Sequence, residues 1–141
     1  MVNLVPEYNA IILPDWISGV KKVKLQNVSH PLSQPCEVNY CTSFYAKFIG
    51  LMFQKEITPF SGIVLVEKHD SMINSTIHML FMNFDISAIW INQSGFVVDK
   101  VIAKRWHLAY APRQAANRVF EMHTQHYDDF SIGDQISCET L

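Results

Sequence analysis

Residues 75–95, STIHMLFMNFDISAIWINQSG, form an apolar run broken by Asn83 and Asp85 and closed by the turn-forming residues Asn92, Gln93, Ser94 and Gly95. The run is rich in β-branched and aromatic residues and too polar in its middle to be one membrane helix. It reads as two buried strands meeting at Asn83, Phe84 and Asp85. Side chains alternate along a strand, so Ile77, Met79 and Phe81 fall on one face of the first strand and His78, Leu80 and Met82 on the other. Both faces are largely apolar. A strand covered on both sides belongs inside a sandwich or barrel, which places His78 in or beside the core.

Outward from this stretch the pattern stays β-rich. Upstream, residues 63–66 (IVLV) predict a buried strand, followed by a polar loop at Glu67, Lys68, His69 and Asp70. Downstream, residues 96–98 and 101–103 predict strands on either side of Asp99 and Lys100. Residues 105–112 form an aromatic loop ending at Pro112. Residues 20–28 predict a half-buried strand with Val23, Leu25 and Asn27 inward and the lysines Lys22 and Lys24 outward. Two prolines make residues 29–35 a loop with His30 exposed. Residues 36–40 suit a short strand. Thr42 or Ser43 then caps a short helix to Gly50, whose stripe of Phe44, Phe48, Leu51 and Met52 faces the core. Residues 54–59 connect. Residues 115–122 fit helix or strand by pattern alone, residues 123–130 allow a turn of helix, and residues 132–136 give a turn and a last strand. About eight strands and one helix predict a mainly β domain, a compact antiparallel β-sandwich or partly closed barrel with one short helix.

The chain has 141 residues, the length of one domain, with residues 1–19 as an N-terminal arm and residues 20–141 as the β domain. With 49% apolar and 17% charged residues it can fill a dense core, and its surface is thinly charged. A formal charge of −2 gives no electrostatic reason to expect nucleic acid or a membrane as partner. The basic pairs at Lys21-Lys22 and Lys104-Arg105 read as solvated strand ends. Three cysteines argue against a disulfide framework. Cys36 and Cys41 are five apart, so on one strand they point to opposite faces and neither bridge nor share a metal. Reduced thiols in a cytoplasmic protein are the expectation. Residues 1–20 lack a basic start and a continuous apolar core, so neither a leader nor a lipid anchor is expected.

Several pieces, in order, resemble the bacterial and archaeal family known as domain of unknown function 192. They are Gly50-Leu51-Met52, Gly62 with the strand after it, residues 77–84 (IHMLFMNF), Trp106 with Ala109-Tyr110-Ala111-Pro112, Val119-Phe120-Glu121, and Ile132-Gly133-Asp134. The resemblance covers about residues 36–138. It implies a small sandwich-like or barrel-like β domain with a short helix, and it resolves residues 118–122 as a strand. It implies no activity. Where the family has proline then aspartate after the aromatic-methionine strand, this chain has Asp85 and Ser87, so no role of the usual aspartate carries over.

Two groupings contain residue types capable of chemistry. His78 with Asn83, Asp85 and Ser87 has the types of a nucleophile, base and orienting acid, without a nucleophile elbow or a glycine-rich oxyanion loop. His123 and His126, with Asp128 and Asp129 beyond, could converge on a metal, but no third ligand lies at a telling distance; no metal or other cofactor is expected. Trp106, His107 and Tyr110 are polar-tipped aromatics beside Arg105, able to stack on a planar ligand or to plug a barrel mouth with Trp106. The sequence therefore places a ligand-binding cleft between Trp106, His107 and Tyr110 and the turn at Asn83 and Asp85, with His78 beside it. The expected function is a non-catalytic module binding a small ligand or protein partner. The alternatives are a self-associating structural protein, or a hydrolase using His78 or a metal at His123 and His126.

Overall fold

The computed structural model describes residues 21–42 and 51–141. The N-terminal arm and most of the helix expected before Gly50 lie outside the described residues. Seven strands form one sheet: β1 (Lys21–Asn27), β2 (Cys36–Cys41), β3 (Gly62–Ser71), β4 (Ile86–Ile91), β5 (Val97–Ala103), β6 (Ala116–Met122) and β7 (Ile136–Thr140). A 3-10 helix at Thr124–Asp129 precedes β7. The strand order is β5-β4-β6-β3-β2-β1-β7. Every pairing is antiparallel except β2 with β3, which is parallel and makes the sheet mixed. No helix among the described residues is long and apolar enough to cross a membrane.

The sheet curls into a half-barrel whose two edges meet at one end. Phe96 bridges Gln135, Gly133 N–H donates to the Val97 carbonyl at 2.8 Å, and Ile136 N–H donates to the Gly95 carbonyl at 2.9 Å. Strand alternation then gives two cores. Inside lie Val23, Leu25, Cys36, Val38, Val64, Ile89, Ile91, Phe120, Met122 and Ile136. On the outer face lie Cys41, Ile63, Ile86, Ala88, Trp90 and Val119, covered by Leu51, Ile57, Ile77, Met79 and Met82. Cys36 and Cys41 thus face opposite sides, as their spacing requires, and all three cysteines are free. All six residues of β4 are buried, so the second half of the opening stretch is the doubly covered strand that its composition demands. Trp90 is fully enclosed and donates its indole N–H to the Ser75 carbonyl at 2.7 Å.

A polar network holds the seam. Asn27, fully buried at the end of β1, donates to Asp134 Oδ2 at 2.8 Å and to the Asp129 carbonyl at 3.1 Å. Its Oδ1 accepts from Ser29 N at 3.1 Å and His30 N at 3.0 Å. Asp134 also accepts from Ser131 N at 2.8 Å and contacts His30 Nδ1 at 2.9 Å. Burial pushes the Asp134 carboxyl up, but the hydrogen bonds from Asn27, Ser131 and His30 more than offset it and hold the group below its ordinary value. His30 is exposed as expected, yet it is tied into this seam.

Four expectations are corrected. The first half of the opening stretch is no ladder strand: it crosses the outer face as a loop with one bridge, Ile77 to Tyr110. Ile77 and Met79 still alternate inward, but Phe81, expected beside them, is exposed because its φ of 60° turns the chain there. Glu67 to Asp70 do not form a loop; β3 runs through them to Ser71, with a register shift between Val66 and Ser71 against β6. Asp99 and Lys100 do not interrupt β5, because both find partners without leaving the ladder. Arg113 reaches Asp99 from its backbone N–H and from its guanidinium, each at 2.9 Å, and Lys100 Nζ donates to the Tyr127 carbonyl at 2.9 Å. The turn and last strand expected from residues 132–136 are present, with the turn at residues 132–133 and the strand running Ile136–Thr140.

Candidate functional site

The two segments expected to flank a cleft are zipped together by their backbones. Ile77 and Tyr110 exchange hydrogen bonds at 2.9 and 2.8 Å, Met79 N–H donates to the His107 carbonyl at 3.0 Å, and Trp106 N–H donates to the Met79 carbonyl at 2.8 Å. This pairing carries half-buried His78 alongside residues 106–110. The His107 and Tyr110 rings stack with centroids 4.9 Å apart, and Tyr110 Oη accepts from Lys104 N at 3.0 Å. Trp106, expected as a candidate plug, is 58% exposed instead.

The turn at Asn83 and Asp85 is clamped to the same loop. Asp85 Oδ1 accepts from Arg105 N at 2.9 Å, Lys104 Nζ approaches Oδ2 at 3.4 Å, and the Arg105 guanidinium donates to the Asn83 carbonyl at 3.3 Å. The Arg105 backbone N–H, followed by Lys104, holds the Asp85 carboxyl below its ordinary value. Asn83 Nδ2 donates to the Gln54 carbonyl at 2.8 Å, so a third segment joins the pair.

One open space borders this clamp. A cleft of about 340 Å³ is lined by Glu56, Ile57, Phe84, Asp85, Arg105, His123 and Thr124. His123 enters it from the end of β6, and its Nδ1 accepts the Gln125 N–H at 3.1 Å. Burial, with the charge of His126, pushes the His123 pKa down. The ring is therefore neutral at pH 7 with its proton on Nε2, a hydrogen-bond donor. Glu121, two residues earlier on the same face of β6, is buried, and burial pushes its carboxyl up to about 8. Burial, then the proximity of Glu121, pushes the Cys41 thiol up to about 12. At neutral pH both groups hold their protons.

Within three residues of Glu56, Phe84 and Arg105 in the chain stand three aromatic rings that contact one another and that the sequence reading did not single out as a group. Phe53 and Phe81 have centroids 5.2 Å apart, and Phe81 and Trp106 are 5.4 Å apart and edge-to-face. Their exposures are 67%, 45% and 58%. Each ring stands on a left-handed backbone, with φ of 63°, 60° and 64°. Among the described residues these three are all the non-glycine residues of positive φ. Such a conformation costs a bulky residue on the order of 1–3 kcal/mol, and residues of this kind cluster at ligand clamps. No local sequence signal marks a phenylalanine for positive φ, which is why Phe81 reads as core and Phe53 goes unnoticed.

His123 and His126 do not converge. His126 is buried, with Nδ1 at 2.9 Å from Asp129 Oδ2 and Nε2 against the Pro59 carbonyl and, at 3.7 Å, Cys36 Sγ. The contact with Cys36, then those with Pro59 and Asp129, raise its pKa to about 9, so it is a charged staple between the 3-10 helix and the loop before β3. Among the described residues no three His, Cys, Asp or Glu side chains are grouped to hold a metal. A second cleft, about 530 Å³, opens beside this staple between His30, Gln34, Phe60 and Asp128.

The sequence profile of domain of unknown function 192, an uncharacterized family, matches residues 25–138. The chain belongs to this family. Family relatives include a UPF0127 protein of Thermococcus kodakarensis, 38% identical over 85 residues, covering 60% of this chain and 52% of that one. A UPF0127 protein of Pyrococcus horikoshii is 34% identical over 95 residues, covering 67% and 79%. The match thus spans about half the length of the Thermococcus relative. Two solved structures share the fold. One is described as a putative transcription regulator from Sinorhizobium meliloti, with TM-score 0.73 and 15% identity over 84% of this chain and 93% of that one. The other is a protein of unknown function from Novosphingobium aromaticivorans, with TM-score 0.69 and 14% identity over 84% of each chain. At such identities the likeness speaks for the fold alone.

Proposed function

We propose that this family member is a non-catalytic binding module whose ligand seat is the cleft between Phe84, Asp85, Arg105 and His123. The carrying observation is that the clamp of Asp85 on Lys104 and Arg105 fixes polar groups at the rim of a concave, partly apolar space of small-ligand size. Asn83 ties the turn to the Gln54 carbonyl, and the backbone pairing of residues 77–79 with 106–110, with the His107–Tyr110 ring contact, supports the loop that carries Arg105. The alternative of hydrolysis finds little support. Ser87 is buried and donates its hydroxyl to the His123 carbonyl at 3.1 Å, and Asp85 is committed to Arg105, so neither is poised beside a general base.

A fragment screen followed by amide chemical-shift mapping tests the seat. Hits should move the amides of residues 56–57, 84–85, 105 and 123–124, and Arg105→Ala with His123→Ala should abolish them. Hits that map only to the second cleft, or none at all, would overturn the reading. The second reading, self-association, is favoured by exposed Ile73 at 84% and Leu108 at 73%. Light scattering over a concentration series separates the two.

A further inference from the structure

We infer that the ligand of this cleft is a neutral saccharide, with a sugar ring packed on the row of Phe53, Phe81 and Trp106 and its hydroxyls turned into the cleft. This rests on the binding reading above and assigns the ligand's chemistry.

Charge balance narrows the ligand first. Arg105 and His123 bring donors to the cleft lining, while Asp85 and Glu56 bring acceptors. An anion would meet two carboxylates, and a cation would meet Arg105 with Lys104 beside it. Hydroxyls satisfy both kinds of wall, because each donates once and accepts twice.

The rings supply the second half of the match. The row is carried by three of the four segments that line the cleft: Phe53 precedes Glu56 and Ile57, Phe81 precedes Phe84 and Asp85, and Trp106 follows Arg105. In this proposal row and cleft act as one surface, with the exposed rings on one side and the hydrogen-bonding residues on the other. A sugar ring has the same division, with C–H groups on its flat faces and hydroxyls around its edge. Backbone hydrogen bonds pin the row, since Phe53 N–H donates to the Phe81 carbonyl at 3.0 Å and Trp106 N–H to the Met79 carbonyl at 2.8 Å. A pre-arranged platform loses little freedom when a ligand lands on it. A protein partner would also favour Trp and Arg. The row is only two ring spacings long and leads into a concavity, which suits a small molecule better than a flat protein face.

The test is titration of the full chain with cellohexaose, maltohexaose and chitohexaose at millimolar concentration, read by amide shifts and tryptophan emission. At least one should perturb residues 53–56, 83–85 and 105–106. Its affinity should fall about tenfold or more in Trp106→Ala and in Phe81→Ala. Both positions are exposed, and an unchanged melting midpoint confirms that each variant folds. Sugar binding that survives both variants overturns the inference, as does the absence of a shift with all three sugars. Acetate, inorganic phosphate and tetramethylammonium, titrated in parallel, separate the two claims. Shifts from these ions alone at Asp85 and Arg105 would leave a binding seat and sink the saccharide, whereas silence from every probe sinks both. An aromatic-rich peptide that competes for the rings where the sugars fail also overturns the inference.

Discussion

Replacing Asn27 by Leu keeps the branched shape and heavy-atom count of the side chain and removes four hydrogen bonds at the seam. The bond to the Asp134 carboxylate is charge-assisted and contributes about 1.5–3 kcal/mol, and the bond to the Asp129 carbonyl contributes about 1 kcal/mol. The two bonds that Oδ1 accepts involve N–H groups of the exposed residues Ser29 and His30, which water can partly satisfy. Burial of the added apolar carbons returns about 1 kcal/mol. The net expectation is a loss of about 2–3 kcal/mol at pH 7, seen in urea unfolding as a lower midpoint with an unchanged slope. The pH dependence carries its own sign. The Asp134 carboxyl is depressed in the folded state, so its contribution is present above its unfolded value and fades as pH falls through the folded one. The variant's deficit should therefore narrow below about pH 4 as the carboxylate of the wild type is protonated. A variant within about 0.5 kcal/mol of wild type at pH 7, or a deficit that widens in acid, would refute the role given to this network.

Gly62→Ala should cost about 1–3 kcal/mol in the same assay, because the added Cβ would stand 2.4 Å from the Glu121 carbonyl oxygen between two central strands; a neutral result would mean that β3 and β6 separate easily. Glu121→Gln should flatten stability between about pH 4.5 and 8. The native carboxyl holds its proton up to about 8 while the unfolded one releases it near 4.5, so in the wild type stability falls as pH rises through this window. Thermal midpoints across pH check this, and an unaltered slope would show Glu121 ionised in the native protein. His126→Gln should remove a different decline. The staple's contribution is full below pH 6.5 and disappears as pH rises through about 9, so wild type and variant should converge in stability at alkaline pH.

The half-buried and fully buried strands were legible because alternation and β-branching are local signals, as at Val23, Leu25 and Asn27 or along β4. What sequence reasoning missed depends on distant partners. Asp99 reads as a strand break until Arg113, fourteen residues on, is seen to neutralise it. Residues 77–81 have the composition of a strand, but their hydrogen bonds go to a loop at 106–110 rather than to the ladder. The parallel pairing of β2 with β3 leaves no mark in either strand. Within the candidate site, Asp85, Asn83 and Trp106 were legible as polar or aromatic residues in turns. The contributions of Phe53, Glu56 and His123 depend on a crossover and a strand end that bring them together only in the folded chain.

The placing of β7 beside β1 bears on how the protein is made. During synthesis β1 to β6 leave the ribosome before the strand that covers β1's free edge, and before Asp134, which compensates buried Asn27. Until that last segment arrives the nascent chain presents an unpaired edge and an inner core without Ile136. Such edges recruit other strands, so the interval before β7 docks is when the chain is most open to mispairing and to chaperone binding. The lysines Lys21, Lys22 and Lys24 on β1 act as gatekeepers through this interval, charging the strand whose partner is made last.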